Sequence, residues 1–358
     1  MIEAFFKTRR WAMWAYGVGG VILALTYWQV QLSVVVNSWY GRFYDMLQAP
    51  AGHEMSEFWD GIFGLQFTWG SFLGFIPVPV PLGFFAIAIP YVILGTATNF
   101  LVRHYGFRWR QAITENYIPR WLHVEHEIEG ASQRIQEDTN RFARIVESLG
   151  IQIFRAVMTL IAFIPILWAM SSQVDLPIIR DVPGSLVWVA LAITIGGMVI
   201  SWFVGYFLPG LEYNNQRVEA AFRKELVLGE DDKVNHAQPE TLFSLFTGLR
   251  INYSRLYMHY GYFDLWSILY SQVTSLTPLI MMGPGMMAGV VTFGTYQQVS
   301  NAYGRVDSSF QVILDNWTTL TELRSIWKRL HEFEANLDRY DTGHDVSDAE
   351  PASPVPAE

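Results

Sequence analysis

The stretch 182–211, VPGSLVWVALAITIGGMVISWFVGYFLPGL, decides the class of this protein, because its 30 residues include no Asp, Glu, Lys or Arg. A hydrocarbon core of ~30 Å is crossed by about 20 apolar helical residues. Four more uncharged runs reach or nearly reach that length: 11–41, 61–102, 156–174 and 265–304. The sequence therefore predicts an all-α polytopic membrane protein.

The composition agrees with a membrane protein and excludes several functions. Of the 358 residues, 51% are hydrophobic and 16% are charged, against about 25% charged in an ordinary soluble domain. The absence of cysteine excludes a disulfide framework, thiolate metal sites and a cysteine nucleophile. The formal net charge of −9 argues against nucleic acid as a partner, because phosphate recognition needs a basic surface.

Two of the runs contain breaks that limit the spans. Gly283-Pro284-Gly285 joins a turn signal to a helix breaker, so we divide the run 265–304 there. The alternate prolines of the stretch 75–81 exclude a continuous helix and place the second span after them. We expect residues 42–82 to form an outer loop. The six predicted spans are approximately 11–36, 83–102, 151–171, 185–208, 262–282 and 290–322.

The basic residues predict the orientation of these spans. Of the 24 Lys and Arg residues, 21 lie in the segments 1–10, 103–155, 212–264 and 324–358. Because basic residues concentrate on the cytoplasmic side, we expect both termini and the loops 103–150 and 209–260 to be cytoplasmic. The first span is not followed by a signal-peptidase-type cleavage site and should stay uncleaved. Residues 1–340 then form one transmembrane domain, and the acidic tail 341–358 should be disordered.

Both cytoplasmic loops are predicted to contain long helices that continue the spans. Residues 125–149 and 212–228 are rich in helix formers. Glu137 precedes Arg141 by four positions, and Glu219 precedes Arg223 in the same way. This order supports an exposed helix face by a few tenths of a kcal/mol, so we expect a helical stalk beyond the lipid.

The sixth span carries a polar stripe at helical spacing, which includes Gln297, Asn301, Arg305, Ser308 and Asp315. The opposite face is apolar. A charged group at bilayer depth costs several kcal/mol unless it faces protein or water. We therefore expect this helix to line a cavity, which favours a transporter. The alternative is that Arg305 and Asp307 lie among the lipid headgroups and that Asp315 is already cytoplasmic.

Carboxylates at the cytoplasmic mouths of spans three and four are candidate proton carriers, because burial or a neighbouring acid can raise a carboxyl pKa toward neutrality. The candidates from sequence alone are Glu137, Glu147, Glu212, Glu219, Glu230 and Asp231. Glu147 stands at a helix–membrane junction and is the most informative of them. For each acid the alternative is a solvated helix face with an Arg partner. No G-x-x-x-x-G-K-[ST] loop is present, so hydrolysis of ATP by that route is excluded.

The histidine-containing run at 123–129 is only a weak candidate for a metal site. His123 and His126 can meet on one helix face, but the spacing does not match H-E-x-x-H. The acidic cluster 230–232 lacks the alternating ligands of a calcium loop. No G-x-S-x-G elbow occurs. We expect no metal, no cofactor and no enzymatic activity.

Five strings in order along the chain resemble the SbmA/BacA family of bacterial inner-membrane peptide-antibiotic transporters. They are VVVNSWYGRFYDMLQ (34–48), HYGFRWRQAITENY (104–117), IEGASQRIQEDTNRFARIVESLG (128–150), LPGLEYNNQRVEAAFRKELVLGEDD (208–232) and NWTTLTELRSIWKRLHEFE (316–334). The segment QRIQEDTNRF also resembles the membrane domains of ABC exporters of the fatty-acyl subfamily. The stretch 75–81 departs from the family pattern and looks like an insertion.

The resemblance implies a homodimer with an ABC-exporter-like membrane fold that lacks nucleotide-binding domains. It implies import of peptides and peptide-like antibiotics (proline-rich antimicrobial peptides, microcin-like and bleomycin-like compounds) by alternating access, driven by the proton-motive force. The glutamates implicated in proton coupling in the family fall on Glu137, Glu147, Glu219 and Glu230. Two alternatives stay open: a permease subunit that uses a separate ATPase, and a membrane scaffold or lipid-modifying protein that affects the envelope.

Overall fold

The computed structural model describes residues 1–72, 76–81, 83–124, 128–174, 182–236 and 238–340. This part of the chain is almost entirely helical, as predicted. The predicted disorder of 341–358 lies outside the described residues. The helices are α1 Ile2–Phe6, α2 Gly19–Gln48, α3 Met55–Phe63, α4 Phe84–Leu122, α5 Ala131–Gln133, α6 Thr139–Met170, α7 Ser185–Gly205, α8 Leu208–Asp231, α9 Pro239–Met287, α10 Phe293–Asp315 and α11 Trp317–Tyr340.

Among the described residues, four helical segments are long and apolar enough to cross a membrane: Met13–Gln48, Phe84–Leu122, Ala131–Gln173 and Ser185–Asp231. Their apolar side chains point outward as well as inward, which is expected where the neighbour is lipid. Ile161 is 62% exposed and Phe203 is 64% exposed. These four segments overlap four of the predicted spans, and a total of six stays a prediction.

A hairpin precedes α4. Strand β1 (Phe67–Phe72) pairs antiparallel with β2 (Ile76–Pro81), and Trp69 is opposite Pro79. Alternate residues of a strand direct their N–H groups to the same side, so three alternating prolines can leave the ladder on the other side intact. The prediction that this stretch is extended rather than helical is confirmed.

The observed helices extend beyond several of the predicted span limits. Helix α2 continues to Gln48 instead of ending near residue 36, so the predicted outer loop 42–82 begins as helix. Helix α9 runs through Gly283-Pro284-Gly285 and ends at Met287. A proline within a membrane helix is tolerated when neighbouring groups satisfy the freed carbonyl. The chain turns two residues later, where Gly289 adopts φ +73°, a conformation that glycine reaches without strain.

The predicted sixth span 290–322 is not one helix, because α10 ends at Asp315 and α11 begins at Trp317. The Asn316 side chain donates a hydrogen bond from Nδ2 to the carbonyl of Val312 at 2.8 Å. An asparagine that bonds its own backbone offers the chain an alternative to the helical ladder. The backbone N–H of Asn316 also donates to the Val312 carbonyl at 3.2 Å, so the interruption is confined to residue 316.

The predicted helical stalks are present. Ala131–Met170 is helical throughout and includes a π-helical turn at Arg134–Asp138. The first residues of the predicted helix, 125–127, lie outside the described residues. Helix α8 follows α7 after a two-residue interruption, which Pro209 explains because it lacks an N–H for the helical ladder.

The chain forms two compact units. The first contains Met1–Trp39, Glu54–Ala162 and the residues from Val312 onward, and the second contains Tyr40–His53 and Phe163–Gln311. The first unit has an aromatic and aliphatic core from α1, α4, α6 and α11, in which the Phe5 ring stacks on Trp109 with centroids 5.3 Å apart. In the second unit, α9 packs against both α7 and α8.

Candidate functional site

Glu147 lies in a cavity of the first unit, between α4 and α6. The cavity has a volume of about 650 Å³, and its lining includes Arg103, Arg110 and Arg144. The Glu147 carboxylate packs directly on the backbone of Gly106, where a Cβ atom would overlap its Oε2. Among the described residues, no group lies within hydrogen-bond or ion-pair distance of this carboxylate. Glu147 therefore differs from an Arg-paired acid on a solvated helix face.

Glu137 has the geometry of a paired surface acid. Arg141 lies 2.8 Å from Glu137 Oε1, as the i,i+4 spacing predicted. The same guanidinium reaches Glu322 on α11 at 3.2 Å. Glu137 thus belongs to a charge network that joins α6 to α11, with its side chain 38% exposed.

Glu219 and Glu230 lie in the second unit, on α8. The predicted pair of Glu219 with Arg223 does not form within 4.0 Å among the described residues. Instead, the Tyr253 hydroxyl donates to Glu219 Oε1 at 3.0 Å and joins α9 to α8. Glu230 is exposed near the end of α8. Their role in proton coupling stays a prediction, as it does for Glu137 and Glu147.

The predicted polar stripe of the sixth span is on the less buried side of α10. Gln297 and Asn301 are half-buried, whereas Arg305, Ser308 and Asp315 are exposed. The opposite face packs inside the protein. Its members are Val299, Ala302, Tyr303 and Val306, each at most 2% exposed. The stripe is thus accessible enough to line a cavity. That it lines a substrate pathway stays a prediction.

Asp307 is the most buried carboxylate of α10, at 7% exposed, and it belongs neither to the predicted polar stripe nor to the predicted proton carriers. Its Oδ1 accepts hydrogen bonds from the Thr194 hydroxyl at 2.8 Å and from the Tyr270 hydroxyl at 3.2 Å. Its Oδ2 accepts one from Gln311 at 2.6 Å. Asp307 thereby joins α7, α9 and α10. The signal was present, since Asp307 follows the apolar residues Val299 and Tyr303 at helical steps, away from the polar stripe.

Residues 8–338 match the sequence model of the SbmA/BacA-like family. The chain belongs to this family. Its curated relatives include an uncharacterized ABC transporter ATP-binding protein of Synechocystis, 26% identical over 92% of this chain and 47% of the relative. Another is the inner membrane ABC transporter ATP-binding protein YddA of Escherichia coli, 24% identical over 87% of this chain and 56% of the relative. The chain thus spans about half the length of these relatives.

The relatives are named as ABC transporters, and this SbmA/BacA-like chain resembles them over about half of their length. A third relative, ABC transporter D family member 2 of Arabidopsis thaliana, is 23% identical over 71% of this chain and 36% of its own length. The predicted resemblance of this chain to the membrane domains of ABC exporters is thereby confirmed.

In this SbmA/BacA-like protein, the string QRIQEDTNRF contains the π-helical turn Arg134–Asp138 of the first unit. Asp138, next to Glu137, is 1% exposed. Arg329 of α11 donates to both Asp138 oxygens at 3.0 and 2.7 Å, and Arg134 donates to Oδ2 at 2.8 Å. The hydrogen bonds to Asp138 raise the pKa of the Arg329 guanidinium. The resemblance pointed to Glu137, whereas the buried anchor of the turn is Asp138.

Proposed function

We propose that this SbmA/BacA-like protein imports peptides and peptide-like antibiotics across the bacterial inner membrane, driven by the proton-motive force. The observation that carries the proposal is the position of Glu147. Its carboxylate is half-buried in a cavity, rests on Gly106 and has no hydrogen-bond donor among the described residues. A carboxylate in that setting gains less from ionisation than a solvated one, so it can exchange a proton during transport.

The driving force is sufficient for accumulation of a substrate. Each proton that moves down the membrane potential supplies ~2.3 kcal/mol per 100 mV. Protonation of Glu147 removes the negative charge that attracts Arg103 and Arg144. The loss of that attraction can shift the equilibrium between the two conformations of the transporter that alternating access requires.

The peptide pathway in this proposal is lined by the polar stripe of α10. Gln297, Asn301 and Ser308 offer donors and acceptors that suit a peptide backbone, and Arg305 and Asp315 add charge. In a homodimer the two stripes would face one shared vestibule, large enough for proline-rich peptides or microcin-like and bleomycin-like compounds.

The test is uptake of a fluorescent proline-rich peptide into proteoliposomes with an imposed pH gradient. We expect uptake to stop with a protonophore and to fall at least tenfold in Glu147→Gln. Glu332→Gln is the matched control, because Glu332 is 61% exposed on α11 and pairs weakly with Lys328 at 3.8 Å. Uptake that is unchanged by both the protonophore and Glu147→Gln would exclude proton coupling through this residue.

A second function is favoured by the relatives, whose names describe ATP-binding proteins and of which this chain covers about half. In that case the chain is the membrane part of an ABC system that works with an ATPase on another chain. Peptide uptake into vesicles that depends on ATP in the absence of a pH gradient, together with co-purification of an ATPase, would support it. Gradient-driven uptake by the purified chain alone would exclude it.

A further inference from the structure

Three arginines converge on the cavity between α4 and α6. Arg103 and Arg110 come from α4 and Arg144 comes from α6. We call these three residues the arginine pocket. Among the described residues that line this cavity, Glu147 is the one acid, so these residues carry a formal excess of two positive charges.

Two members of the arginine pocket lack partners. Among the described residues, Arg103 and Arg144 make no hydrogen bond and no ion pair within 4.0 Å. Arg110 is held in place, because it donates to Asn140 Oδ1 at 3.2 Å and to the carbonyl of Gln136 at 3.3 Å. Neighbouring arginines do find partners, such as Arg141 with Glu137. Guanidinium groups without a close partner around one cavity can bind an anion, and their fork geometry matches phosphate oxygens.

The arginine pocket lies where the apolar helices become charged. Arg103 is the first charged residue after the uncharged run 61–102, and Arg144 precedes the apolar part of α6. By the predicted orientation, this level corresponds to the headgroups of the cytoplasmic leaflet. Anionic lipids there attract basic pockets between membrane helices. Phe107 and Ala143, which also line the cavity, provide apolar surface beside the guanidinium groups.

We propose that the arginine pocket binds a phosphate group, that of an anionic phospholipid headgroup in the cytoplasmic leaflet. Free inorganic phosphate has the same chemistry and is the alternative source. The proposal does not depend on the transported substrate or on proton coupling.

The test measures lipid retention on the purified full chain by native mass spectrometry, with phosphatidylglycerol compared with phosphatidylcholine. We expect the wild type to prefer phosphatidylglycerol at least tenfold and the variant Arg103→Gln/Arg144→Gln to lose that preference. Arg217→Gln/Arg223→Gln is the matched control, because both residues are exposed on α8 and the charge change is the same. The control variant should keep the preference of the wild type.

A second arm distinguishes the source of the phosphate. If inorganic phosphate raises the melting temperature of the lipid-free wild type but not of Arg103→Gln/Arg144→Gln, and no lipid preference is found, the site is a free-phosphate site. The proposal is overturned if both double variants lose lipid preference equally, or if neither ligand distinguishes Arg103→Gln/Arg144→Gln from the wild type. Should that variant fail to fold, Arg103→Gln alone is used, since Arg103 is exposed. We then expect at least a threefold loss, and unchanged binding would overturn the proposal.

Discussion

Asp138 is the residue whose loss should destabilise the first unit most clearly. Its carboxylate is buried and holds Arg329 and Arg134. Removal of one partner from a buried ion pair typically costs 3–5 kcal/mol. We expect about 3 kcal/mol for Asp138→Asn, at the lower end because Arg329 is 34% exposed. Denaturant unfolding in detergent measures this change.

The adjacent Glu137→Gln is the control for that measurement. Glu137 is 38% exposed and pairs with Arg141 in contact with water, where an ion pair contributes about 0–1 kcal/mol. An equal loss of stability in Asp138→Asn and Glu137→Gln would contradict the assignment of Asp138 as the buried anchor.

Gly106→Ala should displace the Glu147 carboxylate from its contact with residue 106. The new methyl group would overlap the carboxylate, and overpacking of this kind costs about 1–3 kcal/mol. We expect lower stability and about a tenfold slower proton-coupled peptide uptake, which corresponds to about 1.4 kcal/mol of activation free energy. Thermal unfolding and the proteoliposome assay measure the two effects.

Gly150→Ala is the matched control for Gly106→Ala. It lies on α6 three residues beyond Glu147, with open space around its Cα, so the alanine should stabilise the helix by about 0.5–1 kcal/mol. In the background Glu147→Ala the stability loss of Gly106→Ala should largely disappear. Persistence of that loss would show that the methyl group meets something other than Glu147.

At the scale of elements, one close approach between α7 and α9 requires a glycine. A Cβ atom on Gly197 would overlap the Tyr270 ring, whereas Gly196 beside it has open space. Tyr270 donates to Asp307 on α10, so a displaced ring would also leave that bond unmade. We expect Gly197→Ala to lower the free energy of unfolding by about 2–3 kcal/mol.

Gly196→Ala makes the same chemical change one position away and should be neutral or slightly stabilising. Thermal unfolding in one detergent compares the melting temperatures of Gly197→Ala and Gly196→Ala. Similar melting temperatures for the two variants would mean that the Gly197–Tyr270 contact contributes little to the second unit.

The helices could be predicted from the sequence because their signals are local: long uncharged runs, helix formers and prolines. The end of α9 could not, because Pro284 breaks a helix in isolation but is accommodated within α9. Glu147 was found by its place at a membrane junction. Its contact with Gly106 and the nearby guanidinium groups arise from the packing of α4 against α6. The spacing of residues along a single helix does not predict that packing.

At the scale of the whole molecule, the charge distribution predicts which segments face the cytoplasm, and the sequence makes the test simple. The chain contains no cysteine, so any introduced thiol is unique. Ser56→Cys lies in the predicted outer loop and Ser132→Cys in the predicted cytoplasmic loop 103–150, and both positions are exposed. Labelling of intact cells with a membrane-impermeant maleimide reports which thiol is outside.

We expect Ser56→Cys to react in intact cells and Ser132→Cys to react after permeabilisation alone, because basic segments stay on the cytoplasmic side. Denatured samples of both variants are the control for reactivity of each thiol. The reverse pattern would invert the topology and place the arginine pocket at the outer leaflet. Labelling of both thiols in intact cells would place residues 56 and 132 on the same side, with an even number of spans between them instead of the single predicted span 83–102. The count of six spans would then have to be revised.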